Sequence, residues 1–284
     1  MKQSPLISVI TPSFNRATFL GEALASVKLQ PYKNYEHLVI DGASTDGTVA
    51  LLQSVTTEKD SRHLRWVSEP DSGQSEALNK GFAQAKGEII GWLNSDDRYR
   101  EACFERVVEA FAENPEVDIL YGDYVLVDET GKTLQVRREI EFSAFILLYH
   151  KVLYIPTTAT FFRRRIFEEN NWLDEKLHYA MDLEFFIRLA ARGYRFKHLP
   201  RIIADFRLHP ESKSCSAPER HRSEHEKVVF AAAPALRRLK SPIARRSMLS
   251  LLRSVAGAER YSEKLLRGYY WQQLRSYCFR FTAF

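Results

Sequence analysis

Gly87-Glu88-Ile89-Ile90-Gly91-Trp92-Leu93 runs directly into Asn94-Ser95-Asp96-Asp97. The first part is a short apolar run that reads as a buried strand over 88–93. The second part is polar, acidic and turn-forming. The same arrangement recurs upstream. Leu6-Ile7-Ser8-Val9-Ile10 reads as a strand closed by Thr11-Pro12, and residues 37–40 as a second strand that enters Asp41-Gly42-Ala43-Ser44-Thr45-Asp46-Gly47-Thr48. Residues 64–67 are a third candidate. Between these runs apolar residues fall at helical spacing over 16–30, with Asn15 as cap, and over 48–55, 74–85 and 101–113. A further strand is expected over 118–127. Strands alternating with helices predict an α/β fold with a mostly parallel sheet flanked by helices. Ligands of such sheets bind beyond the carboxyl ends of the strands. The polar clusters 11–15, 41–46 and 96–97 belong at that one edge, so a site is expected there.

Adjacent carboxylates at a strand end make a hard oxygen-ligand site suited to Mg²⁺ or Mn²⁺, which accept one or two carboxylates together with phosphate oxygens. The alternative for Asp96 and Asp97 is a helix cap near the positive end of a dipole. The region 131–210 is less regular and holds one clear helix, 178–192. After Pro218 the pattern is helical and basic, so residues 1–218 are expected as the α/β domain and 219–284 as a helical extension.

The 284 residues are 45% apolar and 27% charged, as in an average soluble globular chain. No run approaches the roughly 18 apolar residues of a spanning helix. The most apolar stretch, 142–162, is broken by His150, Lys151 and Pro156. The amino-terminal sequence lacks a signal-peptide pattern. Cys103, Cys215 and Cys278 lie far apart, which fits packing residues in a reducing, cytosolic compartment. Charge is uneven: residues 219–284 hold 14 Lys+Arg against 5 Asp+Glu, while the rest is mildly acidic. A basic tail points to nucleic acid, an acidic partner or an anionic membrane, with a solvated helical face as the alternative.

Four segments, in order, resemble successive signatures of family 2 glycosyltransferases. They are Ser8-Val9-Ile10-Thr11-Pro12-Ser13-Phe14-Asn15, the stretch from Asp41 to Thr48, Glu69-Pro70-Asp71-Ser72-Gly73-Gln74 with Asn79-Lys80-Gly81, and Trp92-Leu93-Asn94-Ser95-Asp96-Asp97. The resemblance covers about residues 6–215. It implies the GT-A fold, which is Rossmann-like, a nucleotide-sugar donor, Mn²⁺ or Mg²⁺, and inversion at the anomeric carbon. It places the metal-binding aspartate on Asp96, with Asp97 as metal or ribose partner. Asn94 stands where the family has its first DXD aspartate and brings no charge. Asp41 and Gly42 stand where the family has two aspartates, so one reader of base or ribose is missing. Thr11, Pro12 and Asn15 are implied to line the nucleotide pocket. Phe14 is either a base-stacking aromatic or a core residue. Asp71 and Gln74 fall near the diphosphate or base.

Tyr179-Ala180-Met181-Asp182-Leu183-Glu184 resembles the family's segment that heads a helix and supplies the base. Asp182 takes that position, with a capping role as the alternative; Met181 replaces a glutamate, and Glu184 is the reserve candidate. Phe206-Arg207-Leu208-His209-Pro210 resembles a segment that closes over the diphosphate. His209 is either a metal ligand or a solvated loop residue, and Arg207 or Lys213 is a candidate to neutralise phosphate.

The expected activity is transfer of a hexose from a nucleotide-diphosphate sugar, UDP-linked, to an acceptor hydroxyl in cell-surface polysaccharide or glycolipid synthesis. The acceptor would be a saccharide or a lipid-linked saccharide. A catalytically silent nucleotide-sugar-binding module of the same fold is the alternative; such a protein should lose Asp96 or Asp182. Nucleic acid is not expected as a partner, and no GxGxxG follows the first strand. Leu249, Leu252, Val255, Leu265, Leu266, Tyr269, Tyr270 and Trp271 fall beside Arg245, Arg246, Arg253, Arg260 and Arg267. That stripe would either lie on an anionic membrane at its inner face or pack against the α/β body or a second copy of the chain.

Overall fold

The computed structural model describes residues 4–57, 62–213 and 217–269. The first apolar run forms β1 (Ile7–Ser13), buried along its whole length. It pairs in parallel with β2 (Tyr35–Asp41) on one side and β4 (Ile89–Trp92) on the other, and β3 (Leu64–Ser68) lies outside β2. The connecting helices are α1 (Ala17–Lys28), α2 (Thr48–Thr56) and α3 (Gln74–Gln84). β1 does not close at Thr11-Pro12: it stays in parallel register through Pro12 opposite Ile40 and Ser13 opposite Asp41. Asn15 does not cap α1. Its φ is +52°, the Asp46 carboxylate and not Asn15 accepts from the first N–H of α1, Ala17 N, at 3.0 Å, and the Asn15 amide oxygen accepts instead from Thr45 N at 2.9 Å.

β1 sits between strands reached by connections of opposite sense, which is the topological switch where α/β sheets open a crevice. Close packing fixes the helix that borders it. A Cβ on Gly81 of α3 would lie 2.2 Å from Ile10 Cγ2, so α3 approaches β1 nearer than any side chain there permits.

The chain continues through β5 (Arg98–Tyr99), α4 (Cys103–Glu113), β6 (Ile119–Val127), β7 (Thr133–Arg137) and α5 (Ala144–Tyr149). After a 3₁₀ turn at Thr157–Ala159 come β8 (Thr160–Arg163), α6 (Arg165–Glu168), α7 (Met181–Ala191) and β9 (Phe196–Arg207). The sheet runs β3-β2-β1-β4-β8-β6-β9-β5, with β7 on β6. It is parallel among β1 to β4 and between β6 and β9. β8 opposes β4 and β6, β7 opposes β6, and β5 opposes β9.

The extension forms α8 (Pro218–Ala232), α9 (Pro234–Arg237) and α10 (Pro242–Leu266). The expected division at 218 falls inside one apolar cluster: Val228, Val229, Leu236 and Leu249 bury with Ile146, Phe185 and Phe186 of the body. The fully buried Glu139 receives Arg260 Nη2 at 2.5 Å and Lys264 Nζ at 3.2 Å, both from α10. So Leu249 and Arg260 of the basic stripe pack on the body, with Leu252 against the same cluster. Ile243, Leu251, Val255, Leu265 and Leu266 are exposed. Tyr270, Trp271, Arg275, Cys215 and Cys278 lie outside the described residues; Cys103 is buried. Among the described residues no helix is long and apolar enough to cross a membrane.

Removing one partner of a buried ion pair strands the other charge. Arg260→Met leaves Glu139 with Lys264 alone and is expected to destabilise the protein by about 1–3 kcal/mol in urea unfolding. Arg267→Met, which loses a more exposed pair with Glu263, should cost about 0.5 kcal/mol or less. Equal midpoints for the two variants would exclude Glu139 as the anchor of α10.

Candidate active site

A cleft of about 480 Å³ opens at the carboxyl ends of β1 and β4, and its wall includes residues of α7 and α8. Its inner end is organised by the turn after β4. Asn94 Oδ1 accepts from Gln74 Nε2 and from Trp92 Nε1, both at 2.9 Å, while Asn94 Nδ2 donates to Asp97 Oδ2 at 3.0 Å. An amide can do both; a carboxylate at 94 could only accept. Asp97 is 2% exposed. Besides Asn94 it accepts from the Thr158 hydroxyl and, at 2.9 Å, from Arg207 N of β9. Burial and the neighbouring Asp96 charge push its pKa up, against these donors. Asp97 thus ties β4, the 3₁₀ turn and β9 together.

Asp96 points the other way, into the cleft. Its Oδ2 accepts from His209 Nε2 at 3.1 Å, and the imidazole packs on Phe19 with ring centres 4.7 Å apart. His209 is 5% exposed, so it is not a solvated loop residue. Among the described residues no three His, Cys, Asp or Glu side chains are grouped to hold a metal ion; Asp96 and His209 form a pair. Arg207 is not free to meet a phosphate. It is 1% exposed, and its guanidinium donates to Asp96 O at 2.9 Å, Glu129 O at 2.6 Å and Glu22 Oε2 at 2.6 Å.

The loops after β1 and β2 divide the expected nucleotide residues in two. Pro12 and Phe14 line the cleft, and Phe14 is 60% exposed, which rules out a core role. Thr11 does not reach the cleft. It is fully buried and shares a 2.9 Å hydrogen bond with His37 Nε2, whose pKa burial lowers to about 3. Asp41 is also fully buried. Its carboxylate accepts from Ser44 N at 2.9 Å, Ser44 Oγ at 2.5 Å and Ser68 Oγ at 2.7 Å. Asn15 cross-links the two loops through Ser44 Oγ and Thr45 N. Thr11, Asn15 and Asp41 therefore shape the loops from behind and do not line the cleft.

Asp71 and Gln74 do line it. Asp71 Oδ1 accepts from Gly73 N at 2.9 Å, and burial with the Glu76 charge raises its pKa. Its carboxylate fills the space in front of Gly42: a Cβ there would meet Asp71 Oδ2 at 2.7 Å.

α7 presents Asp182 in its first turn to the same cleft. Burial raises the Asp182 pKa, while the Leu183 N–H, 2.8 Å from Oδ1, and the positive charges of His221 and Lys213 oppose the rise. Glu184, the reserve candidate, faces away: it holds Arg188 at 2.7 Å and does not line the cleft. α7 has no cap from its own residues. Glu224 of α8 takes that place, accepting from His178 N at 3.1 Å, Tyr179 N, and Ala180 N at 2.6 Å. Glu224 and His221 went unnoticed in the sequence, because a glutamate and a histidine on a charged helix look like any solvated face; only the docking of α8 gives them a target.

Residues 8–170 match the family described as Glycosyl transferase family 2. An uncharacterised glycosyltransferase of Mycobacterium tuberculosis is 34% identical over 192 residues, 67% of this chain and 71% of that one. A putative teichuronic acid biosynthesis glycosyltransferase, TuaG of Bacillus subtilis, is 34% identical over 130 residues, 46% of this chain and 51% of that one. Residues 1–349 of TarS from S. aureus, solved in complex with UDP-GlcNAc, share the fold at a TM-score of 0.64 and 19% identity, over 86% of this chain and 70% of that one. The chain belongs to glycosyltransferase family 2, and its fold is GT-A.

Two substitutions probe this geometry. Asn94→Asp removes the donor to Asp97 and sets two carboxylates face to face; an unfolding free energy lower by about 1–3 kcal/mol is expected at neutral pH, with partial recovery in acid. Glu224→Ala leaves the three N–H groups before α7 without their acceptor and should cost a similar 1–3 kcal/mol. It should also lower kcat with little change in donor KM. Unchanged kcat in a folded Glu224→Ala protein would remove Glu224 from the support of Asp182.

Proposed function

We propose that the chain moves a hexose from a UDP-linked sugar to an acceptor hydroxyl with inversion at the anomeric carbon. The observation that carries this reading is a single cleft lined by Asp96, which His209 backs at 3.1 Å, by Phe14, Asp71 and Gln74, and by Asp182 of α7. Membership of the family and the likeness to a UDP-GlcNAc-bound structure support the donor class; the likeness to a teichuronic acid enzyme supports a cell-surface polysaccharide as product. The exposed apolar face of α10 with its neighbouring arginines supports a peripheral position at the inner face of the membrane.

In this reading Phe14 stacks on the base, with Pro12, Asp71 and Gln74 around the nucleotide. Asp96 and His209 suit a divalent cation of the Mn²⁺ or Mg²⁺ kind, since such ions keep open positions for diphosphate oxygens and water. When bound, the cation supplies charge neutralisation at the leaving diphosphate. Asp182 accepts the proton of the acceptor hydroxyl as that oxygen attacks the anomeric carbon. Its raised pKa makes it a stronger base than an exposed aspartate. With the base on one face of the donor sugar and the diphosphate leaving from the other, a single in-line displacement would invert configuration. Asp97, Asp41, Asn15 and Arg207 hold the loops in place and touch no reacting atom.

A panel of nucleotide sugars, assayed for transfer and for slow hydrolysis with Mn²⁺ and with Mg²⁺, tests the reading. Turnover of a UDP-sugar with an inverted product is expected; the absence of UDP binding by calorimetry would overturn it. Asp182→Asn should leave UDP affinity unchanged and lower kcat by roughly 10²-fold or more. In the wild type kcat/KM should fall as pH drops through the raised Asp182 pKa, and the variant should lose that limb. A large loss in Glu184→Gln instead would move the base. Asp96→Ala should abolish metal-dependent turnover at a nearly unchanged Tm.

A further inference from the structure

Beyond the Asp182 wall lies a second cavity of about 590 Å³, and His221 lines both. Three elements converge on it. The segment after α5 gives Lys151, α8 gives Arg222, His225 and Glu226, and α10 gives Arg246 and Arg253. Four side chains are cationic against one carboxylate, and that carboxylate is taken: Glu226 Oε1 holds Arg253 Nη1 at 3.0 Å. Among the described residues no acid pairs with Lys151, Arg222 or Arg246. Three of the four cations come from the basic extension and the fourth, Lys151, from the body, so the docking of the extension assembles the cluster.

Two buried polar atoms at the same place lack partners. His225 is 4% exposed, and neither its Nε2 nor Arg253 Nε makes a hydrogen bond among the described residues. Burial and the Arg253 charge hold His225 far below its ordinary pKa, at about 4, so the imidazole is neutral and offers one N–H donor. Buried polar atoms without partners cost stability unless a ligand meets them. Arg guanidinium groups with a neutral N–H donor are the groups that recognise a phosphate.

We infer that this cavity binds a phosphate or phosphodiester group carried by the acceptor, and so presents the acceptor hydroxyl to Asp182. The inference rests on the reading of the main cleft as the donor site. It gives the acceptor a chemical class: a saccharide bearing an anionic phosphate close to the hydroxyl that is glycosylated, either on a lipid carrier or along a soluble polymer. His221 belongs to the wall of both cavities. The extension then serves the reaction twice, holding α7 through Glu224 and seating the acceptor through Arg222, Arg246 and Arg253.

The test uses the full chain with saturating UDP, which occupies the donor end. Inorganic phosphate is titrated calorimetrically into the wild type and into Arg222→Gln/Arg246→Gln, a pair of exposed residues outside the main cleft. Saturable binding is expected in the wild type, weakened by added salt and at least about tenfold weaker in the double variant, the scale of losing charge-assisted contacts. UDP affinity and slow hydrolysis of the donor should be unchanged in the variant. Sedimentation with phosphatidylcholine vesicles, with and without phosphatidic acid, separates the two sources. A loss of vesicle binding in the double variant together with the loss of phosphate binding assigns a lipid-borne phosphate. A loss of phosphate binding alone assigns a soluble one. Absence of saturable phosphate binding in the wild type, or equal binding in the variant, overturns the inference. Failure of UDP to bind would overturn the donor reading instead and leaves the phosphate titration, repeated without UDP, to be judged by the same two outcomes.

Discussion

Asp97 sits under the cleft with almost no contact with solvent, and a carboxylate in that position has to be met by donors from every side. The donors come from three separate stretches of chain: the Asn94 amide, the Thr158 hydroxyl and the Arg207 backbone. Satisfying one buried group therefore fixes where β4 ends, where the 3₁₀ turn lies and how β9 passes. The rest of the site inherits those positions. Arg207, once placed, reaches Asp96 O, Glu129 O and Glu22, so a residue that looks like a phosphate ligand serves as a bolt. Asp96 is left pointing outward with His209 beside it.

The Asp182 side of the cleft depends on a second acceptance of the same kind. α7 begins without a cap of its own, and three consecutive N–H groups find theirs in Glu224. The extension is held in turn by the apolar cluster and by Glu139 with Arg260 and Lys264. Two carboxylates from remote parts of the chain thus set the span across which donor and acceptor would meet.

The first four strands were legible because each is a short apolar run ended by a polar turn, and the pattern repeats at regular spacing. Their carboxyl ends correctly located the cleft. What could not be read was which residue of a polar cluster faces it. Strand β1 runs on through Pro12 to Ser13, and pleating sends Thr11 down to His37 while its neighbours line the opening. Asp41 and Asp71 look alike as loop aspartates, yet two serines engage the first and leave the second in the cleft. β9 was missed altogether. Lys197, His198, Pro200, Arg201 and Asp205 interrupt any apolar rhythm, and its register against β6 shifts twice. Its burial comes from partners, not from its own composition. Glu224 and the cations of the second cavity share that property: their meaning lies in how helices dock.

Gly42 couples two loops. The space a side chain at 42 would need holds the Asp71 carboxylate, whose Oδ2 lies 2.7 Å from where a Cβ would stand. A larger residue at 42 has to turn the end of the Asp71 side chain aside, and a carboxylate there would add a second negative charge to the same volume. The identity of residue 42 therefore sets where the Asp71 carboxylate can lie in the cleft, although the two residues belong to loops after different strands.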